Sequence, residues 1–196
     1  MTSGQRRGRW TGLSLSERQA RRRAELITAG VDLLGSPDGP ALTVRAVCRR
    51  AELTERYFYE CFADRDEFVR AVYDEVGGAA MTALSSAHTP REAVEGFVAL
   101  MVDAPARGRV LLLAPSVEPA LARSGAAWMP SFIELLQHRL TAIDDPATQR
   151  MTAISLVAGL TGLFTAYLDG GLTVDREKFV DYCVALVARH TEADNG

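Results

Sequence analysis

The chain has 196 residues, 47% hydrophobic and 24% charged, a profile that supports a sizeable core and excludes an intrinsically disordered chain. Its three cysteines, Cys48, Cys61 and Cys183, are odd in number and far apart, which argues against a disulfide framework and for a reducing compartment. The net charge of −3 is unevenly spread: residues 1–50 carry +6 and the rest −9, as expected for a basic end that meets a polyanion and an acidic body that does not.

Residues 1–15 are small, polar and basic and read as a flexible arm, with Arg6, Arg7 and Arg9 available to a phosphate backbone or a minor groove. The first 25 residues contain no apolar run of signal-peptide type, so a cytoplasmic location is expected. Ser14 with Glu17, and Ser16 with Gln19, have capping-box spacing and predict the start of a helix that ends at the breaker "GSPDGP", 35–40. Thr43 is the predicted N-cap of a short helix in which Val44, Val47, Cys48 and Ala51 share one face. Glu52-Leu53 forms a tight turn, and Thr54 caps a second short helix over 54–60.

"ADRDE", 63–67, opens a longer helix that runs to about Ala87, and further helices are expected over 89–105, through "ARGRVLLLAPSV", over 118–143 with an interruption at Pro130, over 146–169 and over 175–191. The expected architecture is all-α, with about nine helices. It divides into the arm (1–15), a helix-turn-helix domain (16–74) and a second helical domain (75–196). Met151–Leu168 is long and free of charge, but Ser155, Ala158, Gly159, Gly162 and Ala166 place small residues at helical spacing, which favours a buried helix–helix interface over a membrane span.

Two short helices joined by a tight turn are a helix-turn-helix signature. At ~100° per residue, Phe58 and Phe62 fall on one side of the second helix and Arg56, Tyr57 and Glu60 on the other, with Tyr59 at the edge. A seven-residue helix is unstable alone, so its phenylalanines must anchor it. Residues 24–76, with Thr43-Val44, Ala51, Phe58-Tyr59, Phe62 and Asp64-Arg65-Asp66-Glu67, resemble the DNA-binding domain of the TetR family of transcriptional regulators. "YLDGGLTVDREKFVDYCVALVA", 167–188, is similar to the link between that family's last two helices.

The resemblance implies a double-stranded DNA operator, a homodimer paired through the last two helices, and a second-domain pocket for a small-molecule effector that releases a repressor. Carried over by position, Thr43, Tyr59 and Arg65 are expected at phosphates, and Arg45, Thr54, Glu55, Arg56 and Tyr57 in the major groove. Arginine pairs bidentately with guanine, which supports this reading on chemical grounds. Glu55 accepts from cytosine N4 or simply favours a helix N-terminus. Glu52 stands where the family has the turn glycine, so a left-handed residue is expected there at a cost of roughly 1 kcal/mol.

For a hydrophobic effector, the expected lining is Phe97, Met101, Leu112, Trp128, Phe132, His138 and Phe164, although each also fits simple core. No catalytic constellation, metal spacing or cofactor motif is present, so the chain is not expected to be an enzyme or to hold a cofactor. A small-molecule-binding protein without specific DNA binding is the alternative, supported by the acids Glu52, Glu55 and Glu60.

Overall fold

The computed structural model describes residues 14–37, 42–122 and 127–191, and the arm with Arg6, Arg7 and Arg9 lies outside them. The helices are α1 (Leu15–Leu34), α2 (Val44–Arg50), α3 (Glu55–Cys61), α4 (Arg65–Ser86), α5 (Pro90–Met101), α6 (Pro105–Leu112), α7 (Ala114–Val117), a 3-10 turn at Pro119–Leu121, α8 (Met129–Gln137), α9 (Pro146–Leu168) and α10 (Arg176–Thr191). No strand occurs among the described residues. The all-α expectation is met.

Local chemistry accounts for most helix starts. Ser14 Oγ accepts from the Glu17 N–H at 3.1 Å and Glu17 Oε2 accepts from the Ser14 N–H at 2.6 Å, the reciprocal box. The Ser16–Gln19 spacing is not used for capping: Ser16 lies inside α1, and Gln19 Nε2 donates to the Glu60 carbonyl. Thr43, Asp64, Thr89 and Asp145 each accept from the backbone N–H three residues on. Pro90 and Pro146 occupy first-turn positions, where a missing N–H costs nothing.

α4 is the spine. It packs against α1, α5, α6 and α8 and against the 3-10 turn. Phe68, Val69 and Val72 of α4 are fully buried with Leu26 of α1, Val47 of α2 and Phe58 of α3. The α1–α4 approach is close: a Cβ on Gly30 would lie 2.5 Å from Val72 Cγ2 and 2.6 Å from Phe68 Cζ. Farther along, burial of Tyr73 pushes its phenol up to about 12. Val98, Met101, Val110 and Leu121 continue the core, which reaches Phe164, Phe179 and Cys183 of the last two helices.

Two expected helices are broken. "ARGRVLLLAPSV" is split at Leu113, because Pro115 lacks an N–H and its ring crowds the carbonyl four residues back. The expected helix over 118–143 is instead the turn at Pro119–Leu121 and the short α8, Met129–Gln137, with Pro130 in its first turn and His138 at its C-cap. Pro119 forces the break by holding Glu118 extended, at φ −99° and ψ 109°.

Along α9 the exposed positions Met151, Ile154, Ser155, Ala158, Gly159 and Gly162 follow helical spacing and form one stripe. A Cβ on Gly159 or Gly162 would meet nothing within 4 Å. By length and composition α9 is the one described helix able to cross a membrane.

Candidate nucleic-acid interface and ligand cavity

α2 ends in a Schellman motif. The Leu53 N–H donates to the Cys48 carbonyl at 2.9 Å and the Glu52 N–H to the Arg49 carbonyl at 3.4 Å. Glu52 has φ 56°, the left-handed conformation expected where glycine is usual, and is the only non-glycine with positive φ among the described residues. That turn sets α3 across α2. Phe58 is fully buried and meets Phe62 and Phe68 at ring separations of 5.5 and 5.2 Å. Burying such a side chain contributes ~1.5–3 kcal/mol, and it is what holds a seven-residue helix in place.

The outward face carries the expected groups. Thr43 is exposed, and its hydroxyl oxygen accepts from Ala46 N–H at 3.2 Å, which leaves its O–H to donate. Thr54, at the N-cap of α3, makes no side-chain capping bond and is exposed. Arg45 reaches Glu55 at 3.7 Å and Arg56 reaches Glu60 at 3.1 Å, both arginine side chains being more than four-fifths exposed. Tyr59 is exposed and meets the edge of Phe58.

Two residues depart from expectation. Tyr57 is half-buried rather than free, with the Arg22 guanidinium over its ring at 3.8 Å to the centroid. Arg22 also approaches Glu60 at 3.5 Å, so the start of α1 braces α3. Arg65, expected at phosphate, turns inward. Its Nη1 and Nη2 bond Glu118 Oε1 and Oε2 at 3.1 and 2.7 Å, and its Nε bonds the Leu42 carbonyl at 2.7 Å. The physical reason is Glu118: this carboxylate is buried and has to be paired. The Arg65 hydrogen bond holds its carboxyl below the usual range against the opposing effect of burial. No local pattern marks Glu118 as the partner of a residue so far upstream. Cys61 lies half-buried on α3 with its thiol pushed up by burial, as for an inert cysteine.

A cavity of about 600 Å³ opens between the end of α4 and helices α5, α8, α9 and α10. Phe97, Leu112, Phe132, His138 and Phe164 line it, and Phe97 meets Phe164 edge-on at 4.9 Å. Met101 does not; it is fully buried at the end of α5, whose backbone packs on Gly108 of α6. Trp128 does not either. Its indole covers Gly77 of α4, where a Cβ would clash with Nε1, and that buried N–H has no partner among the described residues. Arg139, unforeseen from the sequence, lines the cavity and donates to the carbonyls of Ala87, Leu84 and Ser85 at 2.6, 3.1 and 3.1 Å. It thereby caps the C-terminal end of α4, which lacks a glycine for the purpose. No cluster with metal-ligating geometry occurs among the described residues.

The molecule is thus of the all-α class that joins a helix-turn-helix to a cavity-bearing helical body. Neither a protein-family model nor a curated protein matches the chain. Among solved structures it is similar to a TetR-like transcriptional regulator from Rhodococcus sp. RHA1 (TM-score 0.67, 20% identity, 91% of this chain and 97% of that one). It is also similar to NalD of Pseudomonas aeruginosa, the secondary repressor of the MexAB-OprM multidrug efflux pump (TM-score 0.67, 18% identity, 91% and 99%). A third, the multidrug binding protein EbrR complexed with imidazole, has TM-score 0.60 and 22% identity over 88% and 96% of the two chains. The chain has the fold of the TetR-like transcriptional regulators.

Proposed function

We propose that the protein is a sequence-specific DNA-binding transcriptional regulator, a homodimeric, cytoplasmic repressor that leaves its operator when a small, largely hydrophobic molecule enters the cavity. The observation that carries this reading is α3: Phe58 clamps it from within while Thr54, Glu55, Arg56 and Tyr59 stand exposed beside Thr43 and Arg45. Arg56 is suited to guanine and Thr43 and Tyr59 to phosphate. Residues 16–74 form the reading domain and 75–196 the sensing and pairing domain, with α4 crossing between them.

The small-residue stripe of α9 supports pairing, since it lets a second backbone approach closely. Two reading helices on a two-fold axis would meet half-sites ~34–36 Å apart, or a multiple of that distance. A ligand shifts the protein off DNA only by its differential affinity for the two states. α4 is placed to carry that difference, being tied to Glu118 through Arg65 at one end and to the cavity wall through Arg139 at the other.

The test is selection of bound duplexes from a random library, followed by a salt titration on the selected sequence. An inverted repeat with a steep salt dependence is expected. Arg56→Ala is expected to relax specificity at defined positions by ~1–3 kcal/mol. Failure of the folded dimer, stripped of bound ligand, to enrich any sequence would overturn the proposal in favour of a pure ligand-binding protein.

A further inference from the structure

We infer that the cavity receives an amphipathic carboxylate, its anionic end at Arg139 and its apolar body against Phe97, Leu112, Phe132 and Phe164. This deepens the proposed role of the same cavity and rests on that reading only for its biological consequence. Among the described residues the wall contains no aspartate or glutamate, and Arg139 is its only permanently charged side chain. A lipophilic cation, the natural complement of a carboxylate-bearing pocket, would find no counter-charge here and would face a guanidinium.

Arg139 is unusual in its surroundings. It makes no ion pair among the described residues, and its charge is answered only by the carbonyl end of α4. Those three bonds hold the guanidinium in a fixed orientation and leave part of its donor set unused. A carboxylate arriving from the cavity supplies the missing negative charge through charge-assisted hydrogen bonds, in the geometry arginine suits best. His88 and His138 lie on the same wall, and His138 Nδ1 donates to the Glu134 carbonyl, which leaves its Nε2 for a ligand or water. A volume of about 600 Å³ falls within the range of sites for drug-sized ligands. Because the same guanidinium caps α4, occupancy at Arg139 bears directly on the helix that begins at Arg65.

The experiment is calorimetric titration of the full chain, without DNA, with three probes of one chain length below their micellar concentrations: dodecanoate, dodecanol and dodecyltrimethylammonium. Dodecanoate is expected to bind about tenfold to a hundredfold tighter than dodecanol, the effect of a charged hydrogen bond, and the ammonium probe to bind weakest. Arg139→Gln should bring the dodecanoate-to-dodecanol ratio to about one. Ala93→Phe, which narrows the cavity one helical turn before Phe97 on α5, should weaken dodecanoate and dodecanol together. Equal affinities in the wild type, a preference for the cation, or no binding of any probe would each overturn the inference without recourse to a variant. Unchanged binding in Ala93→Phe would overturn the placement. Since no DNA is present, failure here is distinct from failure to select an operator.

Discussion

Replacing Glu118 by glutamine removes one charge and keeps the shape of the side chain. In the wild type the Glu118 carboxylate accepts two bonds from Arg65 and one from the Ala120 N–H at 3.2 Å. Glutamine keeps one acceptor oxygen and turns an amide donor against a guanidinium donor. Breaking a fully buried pair by removing one partner costs ~3–5 kcal/mol. Arg65 is 36% exposed and Glu118 9%, so water recovers part of the loss and about 1–2 kcal/mol remains. For a chain of this length that lowers Tm by about 2–8 °C.

The pH dependence gives the sharper check. Glu118 is held below its ordinary value of 4.5, first by the Arg65 hydrogen bond and then by the Ala120 N–H, with burial opposing. A carboxyl depressed in the folded state contributes its full stability above its unfolded value and loses it as pH falls through the folded one. The Tm gap between wild type and Glu118→Gln should therefore be constant from pH 7 to about pH 5 and close progressively below about pH 4.5. The assay is thermal unfolding by circular dichroism across that range. No gap at pH 7, or a gap that widens on acidification, would refute the pairing argument.

Glu60→Gln releases Arg56 and Arg22 and removes an acid from the proposed reading helix, so affinity for the selected operator should rise about two- to fivefold in a fluorescence anisotropy titration; weaker binding would mean that Glu60 positions these arginines. Ala158→Glu places a charge in the centre of the exposed α9 stripe, and sedimentation should show monomer with helical content unchanged, because an unpaired carboxylate in a packed interface is strongly disfavoured. A surviving dimer would move the interface elsewhere. Glu52→Gly relieves the left-handed strain at φ 56° and should stabilise the fold by about 1 kcal/mol, read as a raised midpoint in urea; a lowered midpoint would show that the Glu52 side chain contributes more than its backbone costs.

The legible parts of this molecule are the ones decided within a turn or two of chain. Ser14 with Glu17, Thr43, Asp64 and Thr89 cap helices through neighbours three residues away, so the starts of these helices were legible in the local sequence: the capping-box spacing at Ser14, the N-cap type of Thr43, the "ADRDE" stretch, and the proline after Thr89. The burial of Phe58 and Phe62 followed from period, and the left-handed conformation at Glu52 followed from the family resemblance, which places a turn glycine there. The proline-rich stretch from Pro115 to Pro130 was harder, because a proline there either begins a helix or ends one, and which it does depends on the packing of the residues around it.

The sequence by itself determined an all-α chain with a helix-turn-helix near its basic end, since capping and hydrophobic period act locally. Only the tertiary structure decided where its arginines point. Arg22 stacks on Tyr57, Arg65 turns from the expected phosphate to Glu118, and Arg139 caps α4 beside the cavity. A guanidinium at the end of a long flexible stem takes whichever acceptor the packed helices bring within reach, and those acceptors lie tens of residues away along the chain.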